Sequence, residues 1–213
     1  MKVILDGVVE GRKTFGNTTK YILNTLSANL GNMTTLAIVS PFLKFLPMLP
    51  SQILLTNLIS DGPLLAISTD RIDEEELKRP KHWNFAFIGR FCGLFGSISS
   101  IFDFVTMGLL LLLGVSVPLF RMGWFLESVL SEILITFSIR TRKRFYRSRP
   151  SQVLLLSSIV FALLTLVIIY SPVGVFFEFV PLDLYFFLLV ILILVTYFAL
   201  VEFLKHFIYK RLK

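Results

Sequence analysis

Asn57, Ser60 and Asp61 fall within about one helical turn of an apolar stretch, TNLISDGPLLAIS (Thr56–Ser68). Asn57 and Asp61, four apart, share one helix face, with Ser60 beside them. An amide, a hydroxyl and a carboxylate are oxygen donors, the ligands that hard cations take. An ionised carboxylate at the centre of a bilayer costs about 2.5–3.5 kcal/mol even on the mild insertion scale, so an acid there points to an ion route. Gly62-Pro63 follows at once. Proline lacks an N–H, which frees the carbonyl of Ile59 and predicts a helix broken at this point. A freed carbonyl beside an amide and an acid makes an all-oxygen cradle for a cation. A purely structural proline kink would need no acid.

Other polar groups sit in apolar surroundings. Asn24, Asn29 and Asn32 lie in the stretch before; Asn29 and Asn32, three apart, share a face, which interhelical hydrogen bonding also explains. Asp103 lies well inside a third apolar stretch and needs a partner or water. Glu127 falls near the outer end of a fourth, where solvation would make it ordinary, and Glu132 nearer its middle. Gly89, Gly93 and Ser97 recur every four residues, a small-residue stripe that predicts close packing of another helix. Cys92 is the single cysteine and reads as a small core residue. His82 and His206 have no partner at zinc-ligand spacing.

The elements that must position these groups are membrane helices. The 213 residues are 55% hydrophobic, with 22 Phe and a mean hydropathy of +0.78. That leaves too little polar surface for a soluble domain. The expected fold is all-α, a multi-pass integral protein of a cell (plasma) membrane. Six transmembrane helices are expected, near residues 21–43, 51–68, 91–115, 123–139, 153–170 and 184–204. Nineteen of the 21 basic residues fall on one side of this arrangement, leaving only Lys44 and Arg121 on the other. The positive-inside rule then places both termini in the cytoplasm. The net charge of +7 thus marks membrane orientation, with no nucleic acid partner. The expected organisation is a stalk helix (1–20), a helix pair carrying the cation site (21–68), a charged coupling loop (69–90) and a four-helix support bundle with a basic tail (91–213). The loop reads either as solvated chain or as a docking surface for a cytoplasmic domain.

Several of these segments resemble P-type cation-transporting ATPases. SANLGNM (Ser27–Met33) and FLPMLPSQILLTNLISDG (Phe45–Gly62) are similar to that superfamily's fifth and sixth membrane helices. GRFCGLFGSISSIFDFVT (Gly89–Thr106) and GWFLESVLSEILITFSIRTRK (Gly123–Lys143) resemble helices seven and eight of its magnesium-transporting branch. The opening ILDGVVEGRKTFGNTTKYI looks like the stalk leading out of the phosphorylation domain. The resemblance implies cation ligation by Asn57, Ser60 and Asp61 and by Asn29 and Asn32, with Glu132 as the candidate from the eighth helix. Asn32 stands where calcium pumps carry an acid, which argues against a calcium-type two-ion site. Mg2+ is the cation the branch implies.

The resemblance also implies what such a pump needs elsewhere. The phosphorylated DKTGT aspartate, the TGE loop and the GDGxND segment do not occur in this sequence. The 213 residues therefore read as the carboxy-terminal membrane half of a pump, inactive as an ATPase alone, with ATP used only through a missing or separately encoded catalytic half. The alternatives are a truncated relic, a passive channel or carrier, and a membrane assembly subunit.

Overall fold

The computed structural model describes residues 2–77 and 82–211. Lys78, Arg79, Lys81 and Lys213 of the charge pattern, and the middle of the expected coupling loop, lie outside the described residues, as do the side chains of Lys2, Lys210 and Arg211. Among the described residues all regular structure is helical. The α-helices run α1 (Lys2–Val39), α2 (Pro50–Leu65), α3 (Glu74–Leu77), α4 (Phe85–Leu112), α5 (Val117–Ile139), α6 (Gln152–Tyr170), α7 (Pro172–Phe176) and α8 (Leu184–Arg211).

Among the described residues four helices are long and apolar enough to cross a membrane: α4, α5, α6 and α8. The other two expected spans differ in kind. The α2 helix has 16 residues, about 24 Å of rise, and is prolonged by a 3-10 turn over Ala66–Thr69. The 38-residue α1 mixes polar and apolar residues along its whole length. Its first turns expose Val3, Ile4 and Leu5.

Helix ends follow capping chemistry more closely than hydropathy. The α4 helix begins at Phe85, before its apolar run, because the Asn84 side chain accepts from Phe87 N. The α6 helix starts after Ser151, whose hydroxyl accepts from Leu154 N. Proline at the first position opens α2, and α5 has its Pro118 in the first turn.

The centre of the bundle is α5. Of its apolar stretch 78% is buried by protein, against 22% for α6 and 28% for α8. Phe120, Met122, Trp124, Phe125, Leu126 and Val129 of α5 are enclosed by residues of α2, α4, α6 and α8. The exposed Leu and Ile side chains of α6 and α8 are the surface that lipid tails would cover. Because lipid is as apolar as leucine, association of such helices rests on close packing and internal hydrogen bonds.

The most extensive helix pairing joins α1 and α4. A Cβ on Gly31 would lie 2.9 Å from Ser99 Cβ, and one on Gly96 would lie 3.2 Å from the Ser27 carbonyl oxygen. Ser100 Oγ donates to the Gly31 carbonyl at 2.9 Å across this contact. Among the described residues nothing packs on the expected stripe of Gly89, Gly93 and Ser97: Gly89 and Ser97 are exposed, and a Cβ on either glycine would meet nothing. Small residues do mediate the packing, but on the neighbouring face of the same helix.

The expected break at Gly62-Pro63 is also corrected. The α-helix continues through Pro63 to Leu65 before tightening into the 3-10 turn. Pro63 removes one rung of the ladder without ending the helix, because the surrounding helices hold the segment in place. Gly62 answers a different need. A Cβ there would fall 2.2 Å from Phe161 Cζ of α6, so only a hydrogen fits beneath that ring.

One end of the bundle is tied by a buried ionic network. Asp70, just past α2, accepts from Lys20 Nζ of α1 at 2.7 Å, from Arg140 Nη1 at 2.9 and 3.1 Å, and from Ser151 N at 3.0 Å. Arg140 Nη2 donates to the Ser148 carbonyl. Asn17 of α1 donates to the carbonyls of Ser68 and Asp70 at 2.8 and 2.9 Å. Asp73 accepts from Thr141 Oγ1 at 2.7 Å and Ser148 Oγ at 3.0 Å. Lys205 of α8 joins the same end, donating to the carbonyls of Ser138 and Lys143 at 3.1 and 2.7 Å and pairing with Glu202 at 2.8 Å.

Candidate cation site

Three of the six candidate ligands meet where α1, α2 and α5 approach one another. Asn32 Nδ2 of α1 donates to Glu132 Oε1 of α5 at 2.6 Å. The Ser60 hydroxyl of α2 is buried, lies beside the same carboxyl, and bonds back to the Thr56 carbonyl at 2.9 Å. Helical geometry places each group: Ser60 is one turn on from Thr56 on the buried face of α2, and Glu132 is flanked by the buried Ser131 and Ile133 of α5.

Asp61 stands next to this trio, partly exposed and close enough to act electrostatically on Glu132. Among the described residues no side chain donates a hydrogen bond to its carboxylate. Asn57 is partly exposed and Asn29 exposed, and no side-chain hydrogen bond joins either to the trio. The structure thus brings Asn32, Ser60 and Glu132 together, sets Asp61 beside them, and leaves Asn29 and Asn57 on the same helices without contact.

The donor set is one carboxylate in contact, a second nearby, one amide and one hydroxyl. Among the described residues no three acid, histidine or cysteine side chains converge as a metal cage. One or two carboxylates with a few neutral oxygens suit a small cation that keeps part of its water shell, as Mg2+ does.

Asp103 and Glu127 form no side-chain hydrogen bond with the trio among the described residues, but both lie close enough to act electrostatically on Glu132. Asp103 Oδ2 accepts from Thr35 Oγ1 at 2.7 Å and Oδ1 from Trp124 Nε1 at 3.1 Å. Glu127 lies beside Asp103 and is 1% exposed. The expectation that solvent reaches Glu127 is therefore corrected. The α5 helix begins at Val117, six residues before the expected span, so Glu127 is almost three turns inside it. Sequence reasoning missed Thr35 and Trp124. Thr35 falls one turn beyond Asn32 on α1, the one signal that could have found it. The Lys20–Asp70–Arg140 network was missed as well, because its members lie 50 and 70 positions apart.

Comparison with known proteins identifies the family. Residues 45–207 match the family described as "Cation transporting ATPase, C-terminus". The chain is 39% identical over 217 aligned positions, 99% of its length, to "Magnesium-transporting ATPase, P-type 1" of Salmonella typhimurium (strain LT2). It is 38% identical over the same span to the protein of that name in Escherichia coli (strain K12). Each alignment covers 24% of the relative, so the chain spans about a quarter of their length. A "Calcium-transporting ATPase" of Bacillus subtilis is 33% identical over 81 residues, 37% of the chain and 9% of the relative.

Proposed function

The chain belongs to the family of cation-transporting ATPase C-termini, and from that membership we propose that it forms the carboxy-terminal transmembrane part of a P-type pump that moves Mg2+. The magnesium-transporting relatives support the choice of ion. The observation that carries the reading is the contact of Asn32 with Glu132, with Ser60 and Asp61 alongside. That contact supports the reading because it brings polar side chains of three helices together inside an apolar bundle.

In this reading α1 and α2 complete a six-helix membrane domain, with both termini and the 69–90 loop in the cytoplasm and the plasma membrane as its home. Asp61 and Glu132 supply charge, Asn32 and Ser60 supply neutral oxygens, and Asn29 and Asn57 enter the shell when the helices shift. ATP hydrolysis belongs to sequence outside these 213 residues, on the same or a separate polypeptide. The stalk (1–20) and the loop (69–90) carry its motion to the site, and the Lys20–Asp70–Arg140 network makes that linkage stiff.

The test is a chimera in which this chain replaces the matching quarter of the Salmonella magnesium-transporting ATPase. ATP-dependent Mg2+ uptake by vesicles is expected, with loss in Asp61→Asn and Glu132→Gln. Uptake equal to the parent in both variants, or uptake by the isolated chain without ATP, overturns the reading.

A further inference from the structure

Arg121 is one of the two basic residues that the charge pattern leaves at the end of the bundle away from the Lys20–Asp70–Arg140 network. It stands in the second turn of α5, 19 residues from Arg140, which is about 28 Å along the helix. Its side chain is 13% exposed and reaches two separate connections. Nε donates to the Leu46 carbonyl at 3.0 Å, in the connection between α1 and α2. Nη1 donates to Glu178 Oε2 at 2.9 Å, in the connection between α7 and α8. The same segment holds α2 a second time. The fully buried Gln52 donates from Nε2 to the Phe177 carbonyl at 2.7 Å, and its Oε1 accepts from Leu49 N at 2.9 Å. The 40–49 connection, which joins the helices carrying Asn32 and Ser60, is thus tied to α5 and to the stretch at Phe177 and Glu178.

The two ties differ in what opening them costs. Releasing Gln52 would strand a buried amide without partners. Glu178 is 57% exposed, so water can replace Arg121 there, and such a pair adds little to stability. Gln52 therefore suits a fixed pivot, and the Arg121–Glu178 pair a tie that opens repeatedly. Glu178 also holds a backbone conformation that favours glycine, with a φ of +56°. Its N–H bonds to the Val175 carbonyl at 3.1 Å, and Phe179 N bonds to the Gly174 carbonyl at 2.9 Å. That pattern is the left-handed turn that closes a helix, the position glycine normally fills. A residue with a side chain at such a place points to a use for that side chain, and this one meets Arg121.

We propose that Arg121 is a positioning residue for the cation site: with Glu178 as its releasable partner it latches the 40–49 connection to α5, and release lets the far ends of α1 and α2 part about Gln52. On the pump reading above, which this role takes as its premise, the closed latch holds Ser60 and Asp61 at the height of Glu132. The open latch gives Mg2+ a path between α1 and α2 from that end. Arg121 acts through the helices, not on the ion. It lies eleven residues from Glu132 along α5, about 16 Å. Gln52 lies eight residues from Ser60 along α2, about 12 Å.

The test uses the full chain in lipid nanodiscs with Cys92→Ser, which removes its single cysteine. Spin labels go on Phe42→Cys and Tyr185→Cys, both exposed positions. The distance between the labels should be narrowly distributed in this parent and broaden in Arg121→Gln and in Glu178→Gly. Glu178→Gly gives the turn its favoured residue, so broadening there does not come from a misfolded α7. Glu75→Gln, which breaks an exposed pair at the opposite end, should leave the distance unchanged. In the chimera, both latch variants should raise the Mg2+ concentration for half-maximal uptake by about fivefold, with the maximal rate close to that of the parent chimera. An unchanged distance in either latch variant, or equal broadening in Glu75→Gln, overturns the latch. A broadened distance with unchanged Mg2+ dependence overturns its role in positioning the donors. A parent chimera that takes up no Mg2+ overturns the pump reading instead, and the label distances then decide the latch by themselves.

Discussion

Asp61 and Asp70 stand nine residues apart on one stretch of chain, and their surroundings are opposite. Asp70 is enclosed by two cations and a backbone amide, each within about hydrogen-bond length. Asp61 has no donor among the described residues, and the acid nearest to it in the site, Glu132, adds to the negative charge. A saturated acid belongs to the scaffold: its partners are supplied by the fold. An acid left short of partners in an apolar protein waits for one that the fold does not supply. The same division separates Asp103, which both Thr35 and Trp124 serve, from Glu127.

The largest effect should come from breaking the saturated end. Asp70→Ala removes the carboxylate that buried Lys20 and Arg140 share, a loss of about 3–5 kcal/mol. Thermal unfolding in detergent should show a clearly lowered midpoint, and an unchanged midpoint would erase the distinction drawn between the two acids. Next is Gly62→Ala, whose new Cβ meets the Phe161 ring. Overpacking of this kind costs about 1–3 kcal/mol, and Phe161→Ala combined with it should recover part of the loss in a double-mutant cycle. Asp61→Asn should do the reverse of Asp70→Ala: stability within about 0.5 kcal/mol of the parent, or above it, while transport by the chimera disappears. Smallest is the exposed pair of Lys143 with Glu75 at 3.1 Å. The hydrogen bond that Lys143 donates to Glu75 raises the pKa of its ammonium above the ordinary value. Its stabilisation is therefore present below the unfolded lysine's pKa and lost as pH rises through the raised value. Lys143→Gln should flatten that alkaline slope and leave the neutral-pH midpoint unmoved, and added salt should mask the difference.

These contrasts also show what the sequence could and could not convey. Hydropathy located α4, α5, α6 and α8, because a run of apolar residues about 20 long has few other uses. It misjudged where α4 and α5 begin, since Asn84 and Pro118 set those starts by capping and φ preference while the apolar count begins later. The polar candidates Asn32, Ser60 and Glu132 stood out because each is costly in lipid; their meeting was not legible, since 100 residues separate Asn32 from Glu132. Gly62-Pro63 misled for a physical reason. Local rules treat glycine and proline as helix breakers, whereas here a neighbouring ring needs the missing side chain and the bundle holds the proline in line. The stripe at Gly89 and Gly93 had the right composition on the wrong face, because periodicity fixes a face but not which face a partner takes.

The bonds from Lys205 to the Ser138 carbonyl in the last turn of α5 and to the Lys143 carbonyl just beyond it have a consequence for how the chain is made. Chains emerge amino-terminus first, so α5 is made while its carboxy-terminal end still lacks that ammonium. Those carbonyls meet Lys205 only after α8 has left the ribosome. Packing of the central helix is thus completed well after its own synthesis, and a nascent chain halted before α8 should be the form that quality-control proteases degrade first.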